Sequence, residues 1–136
     1  MEEKKRKKSW QVKTIEVKNA YLRCNNNPTL IDNFYSNLMF LSPALEKKYF
    51  SKTDWVHQKK LIKLAFEHLF NYFDETDIFH KQQLLRIAKS HSRNGLDIQP
   101  HVYYYFIEAV VMSFRKCDPK WYEDLGFYIR ECLFFQ

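Results

Sequence analysis

Apolar residues recur along this chain at three- and four-residue intervals, the spacing that brings side chains onto one face of an α-helix. Leu30, Phe34 and Leu38 fall four apart and build one apolar stripe. Thr29 stands before that stripe as an N-cap, and Asp32 follows three residues later in the spacing of a capping box. A helix over about residues 10–24 precedes it and ends at the Asn25-Asn26-Asn27-Pro28 break. Ser42-Pro43 opens a short segment that closes on Tyr49-Phe50. Asp54 is placed to cap a long helix reaching about residue 73, after which the acidic turn Asp74-Glu75-Thr76-Asp77 leads to a helix over about residues 79–90. A loop containing Asn94-Gly95 follows. Pro100 suits the first turn of the next helix, because its missing N–H would have no intrahelical partner there. That helix runs to about residue 116, and Asp118-Pro119 repeats the device, an N-cap and then proline, at the start of the last one. About seven helical pieces and no convincing strand predict an all-α bundle.

Composition narrows the picture. A length of 136 residues suits one domain, and 46% apolar with 18% aromatic residues is enough for a core. Only Gly95 and Gly126 are glycine, too few for the tight turns of a hairpin-rich β protein. Much of the net charge of +6 is local, in Lys4, Lys5, Arg6, Lys7 and Lys8. Residues 1–9 therefore read as a basic, flexible terminus, and residues 10–136 as a single domain. A contact of the basic run with an acidic partner is the sharper alternative, and nucleic acid is not the expected partner. No apolar run of signal-peptide length follows it and no stretch of about 20 apolar residues occurs, so the expectation is a cytoplasmic protein without a membrane span. Cys24, Cys117 and Cys132 are odd in number and unpaired in spacing, as reduced thiols are.

Four stretches, in order and spacing, resemble the globin family. Phe34-Tyr35, with the tyrosine eight residues before Pro43, resembles the second globin helix. Ser42-Pro43-Ala44-Leu45-Glu46-Lys47-Lys48-Tyr49-Phe50 resembles the short helix that ends in the family's phenylalanine. Leu85-Arg86-Ile87-Ala88-Lys89-Ser90-His91 resembles the stretch ending in the proximal histidine. Ile98-Gln99-Pro100-His101-Val102-Tyr103 has the Pro-x-x-Tyr spacing of bacterial and flavohaemoglobin-type globins. The similarity spans about residues 13–134 and implies a globin-like bundle around one non-covalent haem b.

In that frame His91 is the proximal iron ligand, with Leu84, Ile87 and Ala88 behind it on one side of its helix. Tyr35 is a distal donor whose hydroxyl would favour a polar bound gas. Phe50 is the ring wedged against the porphyrin, although Tyr49 fits the ungapped count from Pro43. Two registers compete for the rest of the distal face. His57 with Leu61 one turn on also turns Ile62, Ala65 and Leu69 inward, and makes His57 a second candidate metal ligand. Gln58 with Ile62 one turn on is the pattern of many bacterial globins, but on this reading it turns Lys63 toward the core. The burial pattern favours His57. Ile98, Tyr103, Phe106, Ile107 and Val111 are expected to line the cavity. Glu131 is the glutamate nearest to the family's partner for the Tyr103 position, but it does not align with it.

The function this implies is reversible binding of oxygen, nitric oxide or carbon monoxide, for gas binding, sensing or detoxification. No G-x-G-x-x-G motif is present, so sustained redox turnover would need a separate reductase. The alternative is a haem-free globin-like sensor or interaction module, a type marked by loss of the proximal histidine, against which His91 stands.

Overall fold

The computed structural model describes residues 2–71 and 100–134. Among them are six helices and no strand: α1 (Glu2–Asn25), α2 (Leu30–Leu41), α3 (Ala44–Tyr49), α4 (Trp55–Asn71), α5 (Pro100–Cys117) and α6 (Glu123–Phe134). The helix expected over residues 79–90 and the Asn94-Gly95 loop lie outside the described residues. The most extensive packing is α2 on α5, then α1 on α6, with α4 touching both α1 and α2.

The first helix begins at Glu2, eight residues before the start expected from its apolar pattern, so the basic run is part of α1. Glutamate, lysine and arginine are all good helix formers. Glu2 and Glu3 stand at the positive end of the helix dipole, four residues before Arg6 and Lys7. Apolar periodicity reports burial and does not register a helical turn made of charged residues.

At α2 the expected cap is rearranged. Thr29 is the N-cap residue, but it lies in a helical conformation and its side chain caps nothing. The Thr29 hydroxyl instead donates to Asn27 Oδ1 at 2.7 Å, and the same oxygen accepts the Thr29 N–H at 2.9 Å. Asn27 thus organises the turn, in the way an asparagine side chain mimics a backbone turn two residues on. The stripe itself holds: Leu30, Phe34 and Leu38 are all buried.

An aromatic chain runs through the core. The Tyr21 ring of α1 stacks on Phe70 of α4 at 4.7 Å, and Phe70 meets Phe66 edge-on at 6.0 Å. Phe66 in turn meets Phe34 of α2 edge-on at 5.1 Å. Phe114 of α5 closes against Phe70 at 5.3 Å. Edge-to-face rings gain from their quadrupoles beyond the area they bury. The α2–α5 interface carries a polar link too: Asn37 Nδ2 donates to Ser113 Oγ at 3.0 Å, and Ser113 donates to the Ala109 carbonyl at 2.7 Å.

Asp118 does not cap the last helix, which starts only at Glu123. Its buried carboxylate accepts two hydrogen bonds from Arg23 of α1, at 2.7 and 2.8 Å, and a third from the Lys120 N–H at 2.9 Å. Burial opposes the charged form, but the bonds from Arg23 and Lys120 outweigh it and hold the carboxyl below its usual pKa. Aspartate before proline here makes a turn and not a helix start.

Replacing Arg23 by Met keeps the apolar stem and strands this carboxylate. Arg23→Met is expected to cost about 3 kcal/mol in urea unfolding at neutral pH, as breaking a buried pair does. Because the folded pKa is depressed, the pair stabilises above the unfolded value of about 3.9 and its contribution is lost as pH falls through the folded value. The gap between wild type and variant should therefore close below about pH 4. Equal urea midpoints at neutral pH would show that the pair contributes nothing.

Candidate functional site

Tyr35 follows Phe34 on α2 and is itself buried, 6% exposed. Its ring stands edge-on to Phe34 at 5.2 Å, to Trp55 at 5.1 Å and to Phe50 at 5.9 Å. Phe50 is the C-cap residue of α3 and Trp55 the first residue of α4, and their rings stack at 5.4 Å. The short connection between the two helices is thus bridged by a ring pair.

The Tyr35 hydroxyl meets one residue twice. Gln58 Nε2 donates to Tyr35 Oη at 3.1 Å, and the hydroxyl lies 3.4 Å from the Gln58 carbonyl, to which it donates. Burial pushes the Tyr35 phenol up to about 12, while the bond from Gln58 pulls it the other way. The start of α4 holds Gln58 in place. Asp54 Oδ1 accepts the His57 N–H at 3.3 Å, and the Asp54 carbonyl accepts the Gln58 N–H at 2.9 Å. Asp54 is the cap that its position predicts.

The burial expected for His57 and Leu61 is not found on α4. His57 is exposed and so is Leu61, whereas Gln58 is half-buried and Ile62 packs on the core. The inward face of α4 is Gln58, Ile62, Phe66 and Phe70, with Ala65 and Leu69 alongside. Ile62, Phe66 and Phe70 outweigh Leu61, Ala65 and Leu69 in deciding which stripe is buried, since each ring removes more apolar area from water. Lys63 does not turn to the core as expected for this register. It is exposed, because neighbouring residues on a helix point about a quarter-turn apart.

On α5, Phe106 stands edge-on to Phe34 at 5.3 Å and stacks on Tyr103 at 5.8 Å. Ile107 and Val111 are fully packed, and Val111 lies beside Gly126 of α6. The Tyr103 hydroxyl donates to the Leu133 carbonyl of α6 at 3.0 Å, and burial raises its pKa. Glu131 is taken by Lys13 at 2.8 Å. Tyr35, Phe50 and Gln58 therefore come together, Phe106 lies one ring away, and Tyr103 and Val111 face α6. Ile87, His91 and Ile98 lie outside the described residues. Trp55 belongs to the site and was missed; the signal was an aromatic residue directly after the Asp54 cap, across a short loop from Phe50. Among the described residues no group of three or more His, Cys, Asp or Glu is placed to hold a metal ion.

Tyr35→Phe should remove one phenol that titrates at about 12 in a phenolate absorbance titration; Tyr21, also raised to about 12, should remain. The fold favours the neutral phenol, so the contribution is complete below the unfolded value of about 10 and is lost as pH rises toward the folded one. Loss of a phenol titrating near the ordinary value instead would contradict the burial of Tyr35.

No family model matches this sequence, and no curated protein matches it. Among solved structures, the chain is similar to a protein of Pseudomonas aeruginosa described as structurally highly homologous to human haemoglobin. The TM-score is 0.77 at 26% identity, over 90% of this chain and 91% of that one. The fold of this chain is globin-like and all-α.

Proposed function

We propose that this chain is a haem-binding globin that takes up a diatomic gas reversibly, with Tyr35 and Gln58 as the polar groups over the gas. The observation that carries this reading is the Tyr35–Gln58 pair: two hydrogen-bonding side chains locked together among Phe34, Phe50 and Trp55 in a globin-like fold. The donor set fits haem chemistry, which asks for an apolar slot with one or two fixed donors over one face. Bound haem would supply an iron that can bind the gas. Phe50 and Phe106 would pack on the haem, and His91 would hold its iron.

The chain's own residues do the discriminating. A phenol held neutral to about 12 keeps its proton throughout the physiological range, and would donate it to the gas in place of the long 3.4 Å bond to the Gln58 carbonyl. Its surroundings are low in dielectric, where a fixed donor acts strongly on a polar ligand. Gln58 orients that hydroxyl and is a second donor. The Phe50–Trp55 stack limits water at the same end. Cys24, Cys117 and Cys132 are free thiols, as suits a reducing compartment. No described helix is long and apolar enough to cross a membrane.

Haem added to the purified chain should give a Soret band, and His91→Ala should lose or weaken its retention. In the ferrous protein, Tyr35→Phe should speed oxygen release roughly tenfold or more, from a hydrogen bond worth about 1.5–3 kcal/mol. Carbon monoxide release should change far less. Gln58→Ala should also alter oxygen release and His57→Ala should not. A chain that stays colourless with excess haem would favour the haem-free interaction module, and the reverse ranking of Gln58 and His57 would overturn the register.

A further inference from the structure

A second feature lies on the outer side of the same helix pair. An open groove of about 370 Å³ runs between the α1–α2 turn and α4. Lys59, Lys60 and Lys63 line it from α4, Asn25 from the end of α1, Asn27 from the turn, and Asp32 from α2. We propose that this groove binds an organic phosphate, an anion carrying several phosphate charges on a partly apolar body.

Charge is the first argument. Three ammonium groups face one carboxylate. Lys59 pairs with Asp32 at 2.8 Å across the groove. Lys60 and Lys63 are exposed, and neither has a carboxylate partner among the described residues. The positions 59, 60 and 63 are one, three and four apart, so Lys63 shares a helix face with both of the others. Like charges three and four apart destabilise a helix, and a bound polyanion would relieve that repulsion. Lysine binds phosphate as a point charge, which suits a cluster without forked geometry.

The opposite wall supplies a neutral donor. Asn27 Oδ1 accepts both the N–H and the hydroxyl of Thr29, which fixes the orientation of the carboxamide. Those two bonds use Oδ1 alone and leave the NH2 group out of the turn. Size and lining choose between a bare ion and a larger molecule. The volume falls in the range of small-molecule sites, about 300–1,000 Å³, and exceeds what a single phosphate needs. Pro28 and Ile31 add apolar wall that a bare polyphosphate would not use. The proposal is independent of haem, because none of these residues belongs to the Tyr35–Gln58 cluster.

Calorimetric titration of the full chain at low salt tests it, with ATP, inorganic tripolyphosphate and inorganic phosphate as probes. ATP should bind saturably at one site, more tightly than tripolyphosphate, and inorganic phosphate far more weakly. Lys60→Ala with Lys63→Ala should weaken ATP binding on the order of tenfold or more. Both side chains are exposed, so the helical circular dichroism should be unchanged, and Lys60→Arg with Lys63→Arg should retain binding. Arg115→Ala with Lys116→Ala removes the same charge elsewhere and should leave affinity within about twofold, apart from general screening. The proposal is overturned by absence of saturable ATP binding, or by equal losses in the two double-alanine variants. Tripolyphosphate binding as tight as ATP would remove the organic part of the assignment.

Discussion

Phe34 joins three helices. Its ring is 1% exposed and stands edge-on to Phe66 of α4 and Phe106 of α5, while its own helix carries Tyr35 one residue later. Removing such a ring from a packed core typically costs about 3–5 kcal/mol. Its wider consequence is directional. With Phe34 pinned between α4 and α5, the next side chain on α2 can point only toward the junction of α3 and α4. The Tyr35 phenol reaches Gln58 for that reason, and the site depends on the core as closely as on its own hydrogen bonds.

The polar side chains at the chain breaks act in the same manner. Asn27 holds the turn before α2, Asp54 holds the first turn of α4, and Asp118 ties the end of α5 to α1 through Arg23. No buried side-chain nitrogen or oxygen among the described residues lacks a hydrogen-bond partner. Unpaired polar atoms in an interior are costly, so each such residue at a break is committed to one geometry. The helices are long and would slide on apolar contacts alone. These bonds fix where α2 and α4 start and where α5 ends, and so which residues face inward.

The α2–α4 pair consequently has two unlike sides. Inward, Tyr35 and Gln58 close a polar contact among aromatic rings. Outward, Asp32 and Lys59 close an ion pair at the edge of a basic groove. Both contacts bridge the same two helices, and Gln58 and Lys59 are adjacent in sequence. A change in the separation of α2 and α4 would be felt at both.

The all-α class, the stripe of Leu30, Phe34 and Leu38, the Asp54 cap and the helix opened by Pro100 were legible from sequence, because periodicity, capping chemistry and proline geometry act over a few neighbouring residues. Tyr35 and Phe50 were singled out through resemblance, and the structure sets their rings edge-on to each other. The α4 register was not. Leu61–Ala65–Leu69 and Ile62–Phe66–Phe70 are both four-residue stripes, and sequence alone does not say which meets Phe34. Asp118 has the local pattern of a cap, but Arg23, far off in sequence, supplies two of its three hydrogen bonds. Local chemistry is short-ranged and can be read along the chain. The choice between two equally patterned faces, or between a near and a distant partner, is made only when the helices pack and one arrangement buries more ring and leaves no buried charge unpaired.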